Sequence, residues 1–229
     1  AKKVSSNTRW NWLMGKVWDI KARYKAAMNN EIRGNRGIFG VGETPSQAFA
    51  LDYVEISTTG NAADFGDLTL ARGQVTATGS STRGLWLAGD TPTLSNIIDY
   101  ITIASTSNAS DFGDTSEALQ ACIGVMSTTR GCFGGDEDSP GTAIDYITIA
   151  TTGNATDFGN LLAGASKLSG ASSSTRGVFF GGYTPSLQNV IQYVTMASTA
   201  NSTDFGDLTQ ARNRIGSGGS CSATRGVFM

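Results

Sequence analysis

Hydrophobic and polar residues alternate over short stretches through most of the chain. In "IDYITIA", Ile144 and Tyr146 lie on one face of an extended strand, whereas Ile147 and Ile149 lie on the other. The stretches "LDYVEIS", "IDYITIA" and "IQYVTMA" repeat the pattern at Leu51, Ile98 and Ile191. Because both faces carry large apolar groups, the pattern predicts a strand that is covered on both sides.

An Arg-Gly pair recurs at steps of 47, 47, 46 and 49 residues, beginning at Arg36, Arg83, Arg130, Arg176 and Arg225. A period of this length is typical of propeller blades or of helical solenoids. The residues that follow each pair are β-branched or aromatic and are bounded by Gly, Asn and Asp, and no stretch of the repeat has an apolar stripe at helical spacing. The repeat therefore predicts blades built of strands.

Runs rich in glycine and serine precede the Arg-Gly pairs, as in "VTATGSSTRG", "GVMSTTRG", "SGASSSTRG" and "SGGSCSATRG". Glycine inside a strand is typical of a close approach between backbones. These runs are predicted to be the innermost strands, which crowd around a central channel.

The stretch "RGVFFGGYTP", the tyrosine-bearing strand after it and "QARNRIGSGGS" resemble a kelch-type repeat over residues 36–229. The double glycine of that pattern stands at 134–135 and 181–182, whereas the first two copies read "FGVGE" and "WLAGD". A phenylalanine replaces the usual outer-strand tryptophan. The resemblance implies an all-β, kelch-like β-propeller of four repeats. The wording "IDYITIATTGNATDFG" also resembles repeats in tail or fibre-type structural proteins of marine tailed bacteriophages.

The number of blades has two interpretations. In the first, "RIGSGGSCSAT" supplies the inner strand of the first repeat and closes a ring of four. In the second, the final "RGVFM" opens a further blade of a longer natural chain. The end of the sequence inside a predicted strand favours the second.

A loop written "TTGNATDFGNL" at residues 151–161 has three close copies. Its "DFG" does not indicate a kinase, because the chain has no histidine for the catalytic loop and one active site does not need four copies. Its Asn and Asp oxygens suit calcium, but the spacing is not that of an EF-hand and each loop offers at most two carboxylates. A turn is favoured, and no cofactor is expected.

On this interpretation the repeated residues of the loop have structural roles in the fold. The aspartates that open it are Asp64, Asp111, Asp157 and Asp204. The phenylalanines expected to fill the space between blades are Phe65, Phe112, Phe158 and Phe205. Each aspartate is further expected to pair with the repeat's arginine, 27 or 28 residues earlier.

Charge separates the N-terminal segment from the rest. The first 36 residues carry nine Lys and Arg against two acidic residues, whereas the remainder carries eight against 17. Residues 1–35 are predicted to form a basic amphipathic helix that docks to a partner. Its proposed docking residues are Trp10, Trp12, Trp18, Lys16, Lys21, Arg23 and Lys25. Packing of this helix against the propeller is the alternative, and the acidic body disfavours nucleic acid or a membrane surface.

The residue types argue against an enzyme. Without histidine there is no Ser-His-Asp or Cys-His arrangement. A carboxylate-dependent glycan hydrolase is the remaining enzymatic alternative, with its acids among Asp90, Asp136, Glu137 and Asp138. The three cysteines, Cys122, Cys132 and Cys221, lack metal-ligand spacing and are expected to pack in the core.

Two domains are thus expected, a docking segment at 1–35 and a propeller at 36–229. We expect a non-enzymatic structural protein of a tailed-phage virion, at the tail, fibre or outer surface, without a membrane span. It would contact other virion proteins, form a homo-oligomer, and recognise a host-surface glycan or protein through its variable loops. These loops are residues 42–50, 89–96, 135–143 and 182–189. The alternative is a cytoplasmic kelch-like adaptor.

Overall fold

Short β-strands make up the regular structure of the residues that the computed structural model describes, namely 35–40, 43–44, 46–136, 140–215 and 225–226. In chain order they are β1 (Arg36–Gly40), β2 (Glu43–Thr44), β3 (Ser46–Gln47), β4 (Ala50–Glu55), β5 (Ala63–Asp67), β6 (Thr76–Gly79), β7 (Arg83–Leu87), β8 (Asp90–Thr91), β9 (Thr93–Thr102), β10 (Ser110–Leu119), β11 (Ile123–Met126), β12 (Arg130–Gly134), β13 (Ala143–Thr148), β14 (Thr156–Asn160), β15 (Ser169–Ser172), β16 (Arg176–Phe180), β17 (Tyr183–Thr184), β18 (Ser186–Leu187), β19 (Val190–Thr195) and β20 (Thr203–Asp207). The predicted all-β character is confirmed for this part of the chain, where no helix occurs. The predicted N-terminal helix lies outside the described residues.

Four antiparallel sheets follow the sequence repeat, and β2-β3 and β17-β18 form two separate two-stranded hairpins. The first sheet has the order β1-β4-β5, and the second has β6-β7-β9-β10 with β8 paired to β9. The third and fourth have the orders β11-β12-β13-β14 and β15-β16-β19-β20. Three of the glycine- and serine-rich runs are edge strands of their sheets, on the side opposite the "DFG" strands, and the fourth run lies largely outside the described residues. This arrangement is consistent with a propeller-like fold.

The three edge strands β6, β11 and β15 lie beside one another. A side chain at Gly124 of β11 would meet Thr76 and Thr78 of β6 at 3.2 Å, and one at Gly170 of β15 would meet Ile123 of β11 at 2.9 Å. The lack of a side chain at these positions lets consecutive sheets approach closely, which explains the composition of these runs.

Each outer strand bends at its "DFG". The pairing of β13 with β14 joins Ile144 to Gly159 and Asp145 to Asp157, so Phe158 is the extra residue of a β-bulge. The same register shift occurs in the other three sheets. The aspartate carboxylate accepts a hydrogen bond from the glycine N–H at 3.1–3.2 Å in three copies. "DFG" is therefore the signature of a bulge.

The hydrophobic core lies in layers between consecutive sheets. One layer combines Leu51 and Phe65 of the first sheet with Trp86 and Ile101 of the second. The next two layers join the second sheet to the third and the third to the fourth in the same way. In each sheet we call the face that points to the following sheet the forward face and the opposite one the rear face. Both faces of β9 and β13 are covered, as their two-sided apolar pattern predicts, whereas β19 has buried side chains only on its rear face, at Gln192 and Val194.

The connections separate the two ends of the sheets. The short hairpins after β1, β7 and β16, and the links from each outer strand to the next sheet, lie together, which we call the hairpin end. Gly73 of one link exchanges backbone hydrogen bonds with Asp90 of β8, and Ser166 of another does so with Tyr183 of β17. The turns of the repeated "GNATDFG" type lie at the opposite end, because strand direction alternates.

Candidate functional site

The contacts between consecutive sheets, which we call junctions, explain the asparagine of the repeated loop. Asn108 Oδ1 accepts a hydrogen bond from the N–H of Asp67 in the preceding sheet at 3.2 Å, and Ala109 donates its N–H to the carbonyl of Asp67 at 2.8 Å. Asn154 and Asn201 repeat this two-bond clamp on Asp114 and Asn160. The asparagine oxygens considered as calcium ligands are thus engaged by backbone donors in these three junctions.

The repeat's arginine stacks on the tyrosine of its own sheet. In the third sheet the guanidinium of Arg130 lies 4.6 Å from the ring centroid of Tyr146, whose ring meets that of Phe158 edge-on at 5.7 Å. Arg130 also donates to the carbonyl of Met196 in the next sheet at 3.1 Å. The same arginine–tyrosine–phenylalanine stack occurs in all four sheets.

The predicted pairing of these arginines with the loop aspartates is therefore wrong. Arg36, Arg83 and Arg130 donate instead to backbone carbonyls of the following sheet, and Arg36 also pairs with Glu55 at 2.7 Å. The aspartates of the second, third and fourth copies are used by the glycine of their own bulge. Arg130 pairs with Thr148 on the neighbouring strand, and Tyr146 lies two residues before Thr148 on the same face. The planar guanidinium can therefore stack on the tyrosine ring, which explains why it stacks there and does not pair with the aspartate.

The phenylalanines fill the space between sheets in three copies. Phe65, Phe112 and Phe158 are 1–2% exposed, whereas Phe205 of the fourth sheet is 53% exposed. A side chain at Gly66, Gly113 or Gly159 would collide with the backbone of the next sheet at 2.5–2.6 Å, but one at Gly206 would meet nothing within 4 Å. Among the described residues the forward face of the fourth sheet is thus open around Phe205, whereas Phe180, Leu208 and Ile215 form a small buried cluster nearer the hairpin end. The strand predicted to close a ring of four lies largely outside the described residues.

In the second, third and fourth sheets a polar residue on the central strand holds the outer strand or the link of the preceding sheet. Asp99 accepts hydrogen bonds from Thr69 and from the guanidinium of Arg72, at 2.6 and 2.7 Å. Gln192 accepts one from the N–H of Leu162 at 2.7 Å, and Asp145 accepts one from the hydroxyl of Ser116. These side chains fix the links, and with them the hairpin end.

Arg72 and Asp99 form a fully buried ion pair. Three backbone carbonyls, of Ala88, Ile97 and Trp86, also accept hydrogen bonds from the Arg72 guanidinium at 3.0, 2.6 and 3.4 Å. Burial lowers the pKa of Arg72, and the nearby carboxylate opposes that effect. No sequence motif distinguished this pair, because its members are 27 residues apart and only one junction has it.

The hairpin end has the features of an interaction surface. Nine large hydrophobic side chains of the described residues are exposed. Six of them lie at the hairpin end, on hairpins or links: Phe49, Leu70, Leu94, Leu162, Tyr183 and Leu187. The other three, Phe39, Ile56 and Phe205, lie on the outer faces of the first and fourth sheets. Of the nine, only Ile56, in the turn after β4, lies at the opposite end of its sheet, so the apolar groups are concentrated where sequence varies between repeats.

The acidic residues considered for hydrolysis are only partly placed. Glu137 and Asp138 lie outside the described residues. Asp90 is half-buried, and its Oδ1 lacks a hydrogen-bond partner within the described parts of the chain. Asp136 accepts a hydrogen bond from the N–H of Gln120 at 3.3 Å. Over the same residues, no group of three or more Cys, Asp and Glu side chains is arranged to hold a metal ion.

Two of the three cysteines pack in the core, as predicted. Cys122 and Cys132 are 5% and 0% exposed. Burial raises the pKa of Cys122 to about 11 and that of Cys132 to about 12. Both groups are therefore neutral thiols at ordinary pH and poor nucleophiles. Cys221 lies outside the described residues, as do the docking residues from Trp10 to Lys25.

Comparisons with known proteins bear on the fold alone. No family model matches the chain, and no curated protein matches it. A solved structure titled "Structure of YjhT" is similar with a TM-score of 0.60 at 8% sequence identity, over 78% of this chain. The match covers 64% of that protein's length, and the likeness is consistent with a propeller-like arrangement of the sheets. Within the described residues no helix has the length and apolarity to cross a membrane.

Proposed function

We propose that the chain is a non-enzymatic structural protein of a tailed-phage virion, and that residues 36–229 form a kelch-like β-propeller which presents its hairpin end to a glycan or protein on the host surface. The observation that carries this proposal is the placement of the exposed apolar side chains. Six of the nine are at the hairpin end, on segments that differ between repeats. An apolar patch on variable loops above a constant frame suits recognition.

The fourth sheet shows how such a surface is built. Tyr183 and Leu187 face each other across the β17–β18 hairpin, and both are more than two-fifths exposed. The ammonium group of Lys167 lies 5.9 Å from the Tyr183 ring centroid. An exposed aromatic ring beside a cation and hydroxyl groups is suited to stacking on a sugar ring while donating hydrogen bonds. A bacterial surface glycan is therefore the ligand class that we favour.

The buried cysteines and the absence of histidine from the sequence support a binding role rather than a catalytic one. In this proposal the basic segment at 1–35 docks the protein to other virion proteins, through Trp10, Trp12 and Trp18. Several copies in the particle would present several hairpin ends, which increases the avidity for a repeating glycan.

Binding to an array of bacterial surface glycans tests the recognition role. The Tyr183→Ser and Leu187→Ser double variant is expected to lose at least about tenfold in affinity, since aromatic anchors contribute a large share of such binding. Thr151→Ala with Thr152→Ala is the matched control, because both threonines are exposed at the opposite end. Equal binding by the two variants would contradict a role for the hairpin end.

Incorporation into particles tests the structural role. Substitution of Trp10, Trp12 and Trp18 by serine is expected to leave the protein out of purified virions, as judged by mass spectrometry. Unchanged incorporation would contradict docking through this segment, and absence of the unsubstituted protein from particles would contradict the virion assignment.

A further inference from the structure

The three junctions are built from the same parts. On the forward face, an arginine donates to a carbonyl of the next sheet, a phenylalanine is buried, and the outer strand receives the asparagine clamp. The fourth sheet carries all of these forward-face parts in Arg176, Phe205 and Asp207. Among the described residues none of the three meets a following sheet: Arg176 is exposed and stacks only on Tyr193, and Phe205 is half-exposed.

The first sheet carries the complementary rear-face parts. Phe39 and Ile56 are 47% and 65% exposed, whereas their counterparts in the third sheet, Phe133 and Ile149, are 1% and 2% exposed. The clamping asparagine is also present, as Asn61, and is exposed. The described part of the chain therefore has one unmatched forward face and one unmatched rear face.

The two faces carry complementary charges. The link after the first sheet reads "LTLAR" and places Arg72 on Asp99 of the second sheet. The link after the fourth sheet reads "LTQAR", and Arg212 holds the position of Arg72. Its guanidinium contacts only Gln210, at 3.2 Å, within the described residues.

The matching carboxylate is on the first sheet. Asp52 holds the position of Asp99, because both pair with the aspartate of their own "DFG". Asp52 is exposed, and its carboxylate makes no hydrogen bond or ion pair within the described parts of the chain. At the equivalent positions of the third and fourth sheets, Asp145 and Gln192 are already occupied by the preceding links.

We propose that the open forward face of the fourth sheet binds the open rear face of the first sheet in a second copy of this chain. The contact reproduces an internal junction, with Arg212 on Asp52, Phe205 covered by the partner, and the asparagine equivalent to Asn61 clamping the Asp207 N–H. Because the two faces differ, the contact is head-to-tail and extends into a ring or an open array. This inference specifies the homo-oligomer of the proposed function and rests on that proposal only for its place in the virion.

Sedimentation of the full purified chain over about a hundredfold concentration range tests the contact without particles or glycans. Self-association is expected, and Asp52→Arg or Arg212→Asp alone should weaken it at least about tenfold through like-charge repulsion. An equimolar mixture of the two variants should associate again, because each brings the partner that the other lacks. Thr151→Asp adds a charge in an exposed turn of the third sheet and should leave self-association unchanged.

Two results would overturn the proposal. One is a single-copy mass for the unsubstituted chain at every concentration, which would leave the two faces to some other occupant. The other is association that neither charge variant weakens. Since Asp52 is exposed and Arg212 is only partly buried, circular dichroism is expected to show both variants folded. Failure of glycan binding or of virion incorporation would not alter either result.

Discussion

The side-chain oxygen of Asn154 accepts a hydrogen bond from the backbone N–H of Asp114 at 3.1 Å, across 40 residues of sequence and between two sheets. The return bond, from the N–H of Ala155 to the carbonyl of Asp114, is 2.7 Å long. This pair shows why the loop is repeated: its asparagine fastens each sheet to the one before it. The asparagine of the first copy, Asn61, has no preceding sheet among the described residues.

That difference supplies a matched comparison. Asn154→Ala is expected to lower the free energy of unfolding by about 1 kcal/mol, the usual net contribution of one hydrogen bond. Asn61→Ala is expected to change it by less than about 0.5 kcal/mol, as for other exposed positions. Urea unfolding followed by fluorescence measures both. Equal effects of the two substitutions would contradict the clamp.

The phenylalanines of the bulges provide a second comparison. Phe158 is 2% exposed between two sheets, so Phe158→Ala is expected to cost about 3–5 kcal/mol through lost burial and a cavity. Phe205→Ala should cost about 1 kcal/mol or less, because its ring retains mainly the edge-on contact with Tyr193. The unfolding midpoints in urea separate these cases, provided that the protein is dilute enough to be a single copy. A large loss in the Phe205 variant would show that its face is covered.

The buried ion pair has its own signature. Arg72→Met leaves the carboxylate of Asp99 buried without its cation, and is expected to destabilise the protein by about 3–5 kcal/mol. The double variant Arg72→Met with Asp99→Leu should recover much of that loss, since no buried charge remains. A double-mutant cycle in urea measures the coupling. Additive losses would mean that the two groups act independently.

Thiol chemistry tests the core. In a Cys221→Ser background, native protein at pH 8 is expected to react slowly with a disulfide reagent, whereas urea-unfolded protein should expose two thiols at once. Because the folded-state pKa of Cys122 is raised to about 11, the folded state holds the proton more tightly than the unfolded state. The resulting stability is full below about pH 8.5, the pKa of an unfolded thiol, and is lost as the pH rises toward 11. Two rapidly reacting thiols in the native protein would contradict the burial of Cys122 and Cys132.

Much of the fold was predictable from local pattern. The strand at Ile144 follows from alternation with apolar groups on both faces, and the close packing of the inner strands follows from glycines such as Gly124 and Gly170. Burial of Phe158 between sheets was also predictable, because the phenylalanine of "DFG" recurs at the same position of each repeat. These features depend only on one repeat and its neighbours, so they can be predicted from the repeated sequence pattern.

The interaction partners of individual side chains were harder to predict from the sequence. The stacking of Arg130 on Tyr146 competes with a salt bridge to an aspartate, and only the register of β12 on β13 decides between them. The pair of Arg72 and Asp99 has no counterpart in the next two sheets, so the repeat conceals it. The exposure of Phe205 depends on whether another sheet packs against the fourth, and the pattern within one repeat carries no information on that packing.

Hydrogen exchange at four backbone amides tests the central claim, that the repeated loop builds a chain of junctions whose last forward face is open. Leu208 donates its N–H back to Asn189 of its own sheet, so the N–H of Asp207 points away from that sheet. In the Arg212→Asp variant, which keeps copies apart, the amides of Asp67, Asp114 and Asn160 should be protected, while that of Asp207 exchanges rapidly. Equal protection of all four amides would mean that another sheet covers the fourth, and rapid exchange of all four would mean that the clamps do not form.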